Sequence, residues 1–358
     1  MPDNTIQTAL FSLLRLGLWG GSTNDGENPK LAPLSATQWG NLYDYASMHT
    51  IEGVIYDAFQ YMPMDLLPPR DLMMKWTVRI DQIERHHKQM NACIGEQLVI
   101  FGKQGIEPMV LKGQGVAACY KVPEHRICGD VDWYFNSKDQ YLAANSLFMD
   151  LGAEVSSMAG FSSEYTWRSI IVEHHQRMFD IHSPFATSYL KNLERDFYQQ
   201  RVQFDVHGST LLVPAPMLMI LQVNAHILKH LLSFGLGIRQ LCDSARLYYE
   251  FHNDVNGPEL QKVYRRLGIL KWVDLLHVIL VKHIGLPTRY LPFELSEKVE
   301  ADWMMDEIWR SGNFGFYDSG REQATRQIWS NMKKYVKYAP MEAISFPVMQ
   351  FYSKFARR

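Results

Sequence analysis

The sequence has few cysteines and no pattern that would make them structural or metal-binding. Its 358 residues include four cysteines, none in a C-x-x-C pair and none at a spacing from histidine that is typical of zinc sites. A disulfide-stapled secreted domain and a zinc module are therefore excluded, and free thiols in a reducing compartment are expected. The four are Cys93, Cys119, Cys128 and Cys242.

Long apolar runs and an excess of charge are also missing. No stretch approaches the roughly 18 apolar residues of a membrane span, so no membrane partner is predicted. The N-terminal apolar stretch contains Arg15 and follows no basic cluster, which predicts a first helix rather than a signal peptide. The cytoplasm is then the default location. A formal net charge of −2 without a basic stripe disfavours a nucleic-acid partner.

The composition is that of a folded protein, because 47% hydrophobic and 13% aromatic residues exclude disorder. Helical periodicity dominates 1–104, interrupted by a loop at 20–35. Strand and helix patterns alternate over 105–213. Helical patterns return over 214–358, including a helix at 294–310 and a glycine-rich segment at 310–326. We expect an α+β fold in which a small mixed β-sheet core lies between N-terminal and C-terminal helical regions.

The segment 110–135 concentrates residues that can carry chemistry. Asp130 and Asp132 are one residue apart in a predicted strand, so their carboxylates share one face, about 7 Å apart. Crowded carboxylates repel unless a cation neutralises them, and oxygen ligands suit Mg²⁺ or Mn²⁺. Upstream, Gly113 and Gly115 lie at a strand-to-helix turn where backbone N–H groups can approach a phosphate. Each motif alone is more often a solvated strand edge or a tight turn, so the prediction of a site rests on their combination.

These motifs resemble those of a known family. LKG at 111–113, followed by RICGDVD at 126–132, is similar to the L-K-G and R-x-x-G-D-[IV]-D signature of an uncharacterised nucleotidyltransferase family in the polymerase-β-like superfamily. Segments at 13–20, 166–175, 213–230 and 238–243 extend the resemblance to about residues 13–250.

The resemblance implies a metal-dependent nucleotidyltransferase. Such an enzyme moves a nucleoside monophosphate from a nucleoside triphosphate to a hydroxyl acceptor and releases pyrophosphate. The acceptor, a small molecule or a macromolecule, is not named by the resemblance. The superfamily needs a third carboxylate on a neighbouring strand, for which Glu173 ranks first, Asp180 second and Asp205 last. His175 is expected on the same strand face as Glu173.

The site residues implied by the resemblance fall into two groups. The catalytic and metal-binding group, with Mg²⁺ or Mn²⁺ as cofactor, is Asp130, Asp132 and Glu173. The nucleotide-binding group is Lys112, Gly113, Gly115, Arg126 and Gly129.

Alternatives remain open for several of these features. The fold can serve a catalytically inactive nucleotide-binding or protein-interaction module, which the unusual Gly113–Gln114 turn and the large helical regions would suit. Lys112 can contact a phosphate or be an exposed lysine at a strand end. Arg126 can pair with a phosphate or with the carboxylate cluster.

Two residue pairs on the predicted C-terminal helices have the i and i+4 spacing that places side chains on one helix face. His226 and His230 stand at i and i+4, a spacing that can bind a metal but more often belongs to a core. Arg239 and Asp243 have the same spacing and are expected to form an ion pair within their helix.

Overall fold

The computed structural model describes residues 4–20, 32–158, 161–206, 208–233, 235–295, 299–313 and 324–355. Most of the loop expected at 20–35 and most of the glycine-rich segment expected at 310–326 lie outside the described residues. The expected α+β fold is confirmed, with helices on both sides of a five-stranded mixed sheet. None of the described helices combines the length and the apolarity that crossing a bilayer requires.

The N-terminal region is helical, as the periodicity predicts. Ser35 begins the second helix with a capping box, because its side chain accepts from the backbone N–H of Gln38 while the Gln38 side chain binds the Ser35 backbone. The fourth helix is long and buries one face, including Trp76 and Phe101. The helices are α1 (Asn4–Trp19), α2 (Ala36–Met48), α3 (Glu52–Ala58) and α4 (Arg70–Lys103).

The central region contains the sheet, whose strand order is β1-β2-β5-β4-β3. Strands β2 and β5 are parallel, and the other neighbours are antiparallel. A separate hairpin, β6–β7, follows. The elements are β1 (Met109–Leu111), α5 (Gly113–Ala117), β2 (Asp130–Tyr134), α6 (Lys138–Asp150), β3 (Ser156–Met158), β4 (Ser162–Trp167), β5 (Ile170–His175), α7 (Thr187–Phe197), β6 (Val202–Val206) and β7 (Ser209–Val213).

One face of the sheet is closed by a buried hydrogen-bonded network on α4 and α6. Trp133 donates to Gln97, and Gln97 donates to the Tyr165 hydroxyl. His174 completes the chain between the Tyr165 hydroxyl, 2.9 Å from Nε2, and Asn145 Oδ1, 2.7 Å from Nδ1. Burial lowers the pKa of His174 to about 3, so the ring is neutral. Because these groups satisfy one another, the opposite face of the sheet is the one left to carry a site.

The C-terminal region packs around α8, which begins at Pro216, two residues after the start of the predicted helical region, and is buried around nearly all of its circumference. The bounds of one predicted helix need correction. The helix expected at 294–310 begins only at Asp302, whose charge suits a helix N-terminus. The last described helix contains Pro347 and lies within the region over which helical patterns were predicted to return. The helices are α8 (Pro216–Leu232), α9 (Ile238–Glu250), α10 (Gly257–Arg266), α11 (Leu270–Ile279, with a π-helical turn over Leu280–Ile284), α12 (Asp302–Ser311), α13 (Ala324–Tyr335) and α14 (Pro340–Phe355).

The last helix is anchored to the central region through a buried carboxylate. Glu342 on α14 is 1% exposed and accepts hydrogen bonds from the backbone N–H groups of His182 and Ser183. Its Oε1 atom also lies 2.7 Å from His182 Nδ1. The chain that follows β5 is therefore held in place by a residue near the C-terminus.

The approach of α3 to the loop before β2 tolerates no side chain at Gly53. A Cβ atom there would lie 2.1 Å from the carbonyl oxygen of His125, so we expect Gly53→Ala to destabilise the fold by about 1–3 kcal/mol. Gly40→Ala is the matched control, because nothing lies within 4 Å of its Cβ position in α2. It should stabilise by about 0.5–1 kcal/mol. Urea denaturation followed by circular dichroism measures both, and equal midpoints for the two variants would contradict the packing argument.

Candidate active site

The candidate active site lies on the second face of the sheet, at β2 and β5. These strands pair with Asp130 opposite Ile171 and Asp132 opposite Glu173. Because side chains alternate along a strand, His175 and the three predicted carboxylates all project from the same face. The structure therefore brings Asp130, Asp132 and Glu173 together on adjacent strands.

Asp132 is the centre of the polar contacts on this face. Its side chain is 2% exposed, and its Oδ1 atom lies 3.1 Å from Lys112 Nζ and 2.7 Å from His175 Nε2. The same His175 nitrogen is 3.3 Å from Glu173 Oε2. A buried carboxylate thus has two basic partners, and hydrogen bonds to ionised groups are stronger than those between neutral groups.

The charges in this cluster shift one another's pKa values. The charge of Asp132, together with burial, raises the pKa of Asp130 to about 6. Burial opposes ionisation of Asp132, but Lys112 and His175 hold its pKa well below the usual value. Burial also opposes a charge on His175, yet its hydrogen bonds to Asp132 and Glu173 raise its pKa to about 9. At neutral pH the cluster therefore contains a protonated histidine beside an ionised aspartate.

Lys112 reaches this cluster through an unusual backbone conformation. Its φ of 51° and ψ of −136° lie outside the regions that residues with a side chain normally adopt, and Gly113 follows with φ of +40°. Such strain costs about 1–3 kcal/mol and tends to occur at functional sites. Burial opposes a charge on the ammonium group, but the surrounding carboxylates raise the pKa of Lys112. Lys112 is therefore an internal partner of the carboxylates and not an exposed lysine.

The cluster opens on a cavity of about 300 Å³ between the sheet and helices α8 and α9. Gly113 and Gly129 lie on its wall. Gly115 has a packing role instead, because a Cβ atom there would be 2.8 Å from Val213 Cγ1 on β7. The sheet side of the cavity carries the carboxylates with Lys112 and His175, whereas the helical side contributes the cationic Lys229 and Arg239 and the imidazoles of His226 and His230.

Arg126 pairs with Asp243 and not with the carboxylate cluster. Its Nε and Nη2 atoms bind Asp243 Oδ1 and Oδ2 at 2.7 and 2.8 Å, and both side chains are 5% exposed. This bidentate pair fixes the loop before β2 to α9. The ion pair expected between Arg239 and Asp243 is wrong, since Arg126 binds the carboxylate and Arg239 donates to the backbone carbonyl of Ile127.

A second polar cluster lies at the helical wall. Asp180 Oδ2 is 2.7 Å from His226 Nδ1, and Asp180 Oδ1 accepts from Lys229 Nζ at 2.7 Å. His226 Nε2 is in turn 2.9 Å from His230 Nε2. Burial lowers the pKa of His226 to about 4, whereas Lys229 and His226 hold the pKa of Asp180 well below its usual value against the effect of burial. Asp180 is thus paired with α8, while Asp205, the last-ranked carboxylate, is exposed and accepts from the Gly208 N–H.

Comparison with known proteins identifies the family of this chain. The family model described as "Uncharacterised nucleotidyltransferase" matches residues 35–284, well over half of the sequence. The chain belongs to this family. An antigenic nucleotidyltransferase-like protein from Paracoccidioides brasiliensis has a solved structure that is similar over 56% of this chain and 93% of its own length, at 14% identity and a TM-score of 0.35. No curated protein matches the chain.

The donor atoms of this nucleotidyltransferase-family chain fit a divalent cation. One ligand atom from each of Asp132, Glu173 and His175 lies within 4.8 Å of the others. Carboxylate oxygens bind Mg²⁺ and Mn²⁺, and an imidazole nitrogen suits divalent metals later in the first transition row, such as Zn²⁺. Asp130 is outside this group of three but projects from the same face of β2. These three residues could therefore hold a divalent ion that faces the cavity.

Sequence reasoning missed two parts of the site. It placed His175 on the face of Glu173 by strand alternation but gave it no role, although its distance of two residues from a candidate ligand was a usable signal. The contacts of Asp180 with His226 and Lys229 join residues 46 and 49 positions apart. No local sequence pattern predicts such contacts.

The opposite pKa shifts of the two aspartates predict opposite effects on stability. The folded pKa of Asp130 is raised, so its ionisation costs stability as pH rises from about 4 to 6. Asp130→Asn should therefore stabilise the metal-free protein by about 1–3 kcal/mol at pH 7.5, and this gain should vanish near pH 4. Urea denaturation in the presence of a chelator measures the free energy of unfolding at both pH values.

Asp132→Asn is the matched comparison. The folded pKa of Asp132 is depressed, so its contribution is present above its unfolded pKa and is lost as pH falls. Removing this charge also deprives buried Lys112 of its 3.1 Å partner, and we expect a loss of about 1–3 kcal/mol at pH 7.5. If both variants changed stability in the same direction at pH 7.5, the described charge arrangement would be wrong.

Proposed function

We propose that this protein is a metal-dependent nucleotidyltransferase that moves a nucleoside monophosphate from a nucleoside triphosphate to a hydroxyl acceptor. The observation that supports this proposal best is the strand register that sets Asp132 opposite Glu173, with Asp130 on the same face and a cavity in front of them. Membership of a nucleotidyltransferase family supports the reaction class.

In the proposed reaction, the acceptor oxygen forms a bond to the α-phosphorus of the nucleotide. The bond from that phosphorus to the oxygen bridging to the β-phosphate breaks, pyrophosphate leaves, and the hydroxyl proton is released. Positioning and charge stabilisation supply most of the rate of phosphoryl-type transfers. A divalent ion at Asp132 and Glu173, with Asp130 beside it, would neutralise phosphate charge and lower the pKa of the acceptor hydroxyl.

The two walls of the cavity would have different roles in positioning the carboxylates and in binding the phosphates. Lys112 keeps Asp132 ionised and oriented, since its ammonium group lies 3.1 Å from Oδ1. Lys229 and Arg239 line the opposite wall, where their positive charge would attract the phosphates. Arg126 acts as a positioning residue, because its bidentate contact with Asp243 holds the loop that leads into β2. Gly113 and Gly129 leave the wall without side chains, so the phosphates could approach the backbone closely.

A second candidate function is a nucleotide-binding or protein-interaction module without turnover. The observation that favours it is that Lys112 and His175 both contact Asp132 Oδ1, so basic side chains already neutralise the carboxylate that a cation would use. Such a protein would bind nucleotide and release no pyrophosphate.

Calorimetry with ATP, GTP, CTP and UTP, each with and without Mg²⁺ or Mn²⁺, tests the nucleotide site. We expect metal-dependent binding of at least one nucleotide and its loss in Asp132→Asn. Label from the α-phosphate should then pass to an acceptor in a metabolite or macromolecule extract, and pyrophosphate release should fall at least about 100-fold in Asp132→Asn.

Asp139→Asn is the control for the same substitution, since Asp139 lies exposed in the first turn of α6, away from the cavity. It should bind nucleotide and release pyrophosphate like the wild type. Binding without label transfer to any fraction would favour the second candidate function. Transfer that survives in both Asp130→Asn and Asp132→Asn would refute the transferase site.

A further inference from the structure

His175 stands among the candidate metal-binding side chains although the family resemblance implies carboxylates alone. We propose that His175 is a metal ligand, so that the divalent ion is bound by two carboxylate oxygens, from Asp132 and Glu173, and by one imidazole nitrogen. This inference rests on the proposed function, because it concerns the same cavity, and it adds the identity of the donor set and the class of metal.

The strand register concentrates donor atoms around Asp132 rather than around Asp130. Directly opposite Asp130 on β5 is Ile171, which offers no ligand. Directly opposite Asp132 is Glu173, and His175 is the next residue of β5 on the same face. The resulting distances are short, with His175 Nε2 2.7 Å from Asp132 Oδ1 and 3.3 Å from Glu173 Oε2. One ion can therefore reach all three donors with small movements of the side chains.

The other histidines near the site are engaged differently. His174, the neighbour of His175, projects from the opposite face and lies between Tyr165 and Asn145. His226 is bound through Nδ1 to Asp180, and its Nε2 atom faces His230. Within the described ranges, Asp132, Glu173 and His175 form the one group of three or more His, Cys, Asp or Glu side chains whose donor atoms converge within 4.8 Å.

A nitrogen donor changes which metal the site prefers. Mg²⁺ is bound by oxygen ligands and retains much of its water. An imidazole ligand binds Mn²⁺ more strongly than Mg²⁺, and it binds Co²⁺ or Zn²⁺ more strongly still. The ion replaces the proton on Nε2, so His175 binds as a neutral ring and one proton is released per ion bound there. We therefore infer that the resident ion belongs to the first-row transition metals, with Mn²⁺ as the practical probe.

Pulsed electron paramagnetic resonance on the full-length protein loaded with Mn²⁺ tests this inference without nucleotide or acceptor. A coordinated imidazole should give ¹⁴N modulation, which we expect in the wild type and expect to disappear in His175→Gln. The Mn²⁺ dissociation constant, measured from the signal of free Mn²⁺, should rise at least about 10–100-fold in that variant. The Mg²⁺ dissociation constant should change much less.

Two further variants make the result specific. His226→Gln removes an imidazole from the opposite wall of the same cavity and should keep the ¹⁴N modulation. His175→Asp restores an oxygen donor and should bind metal without ¹⁴N modulation, with a lower preference for Mn²⁺ over Mg²⁺ than the wild type. Circular dichroism and urea midpoints of each variant identify any that does not fold.

The outcomes separate this inference from the proposed function. Two results overturn the assignment of His175: Mn²⁺ that binds without ¹⁴N modulation, and modulation that is lost in His226→Gln instead of His175→Gln. Neither result decides the transferase proposal, which the pyrophosphate assay tests separately. Absence of Mn²⁺ binding at millimolar concentration also overturns the assignment. If the ¹⁴N modulation depends on His175 but the protein transfers no nucleotide, the result supports His175 as a metal ligand and refutes the proposed transferase activity.

Discussion

Repulsion among the carboxylates on one sheet face is the constraint on which the rest of the site depends. Asp130, Asp132 and Glu173 are fixed close together by a parallel strand pair, and Asp132 is almost completely buried. Charges held this way would oppose folding unless other groups compensate them. Lys112 and His175 supply that compensation at Asp132, and the strained backbone of Lys112 is what brings its ammonium group inward.

The same principle organises the opposite wall and the loop between the walls. Asp180 is bound by Lys229, and buried Asp243 is bound by Arg126. These pairs join segments that are distant in sequence, so they also set how the sheet and α8 and α9 face each other. The cavity is therefore bounded by ion pairs on several sides.

The sequence predicted the parts of this arrangement that depend on local patterns. Alternation placed Asp130 and Asp132 on one face, as the strand register shows. The family resemblance added Glu173. The prediction that failed concerned a contact between residues that are distant in the sequence. Arg239 was matched to Asp243 because they are neighbours on a helix, whereas the real partner, Arg126, is 117 residues away.

The anchor at Glu342 has a consequence for how the protein is made. The segment it holds, at His182 and Ser183, is 160 residues earlier in the chain and lies just after Asp180, which contacts His226 and Lys229 on the cavity wall. Chains emerge from the ribosome N-terminus first, so the sheet and its acidic cluster can form while this anchor is still unsynthesised. The contact between Glu342 and the segment beside the helical wall can form only after α14 has been translated. The residues of the acidic cluster are thus synthesised before those of the helical wall.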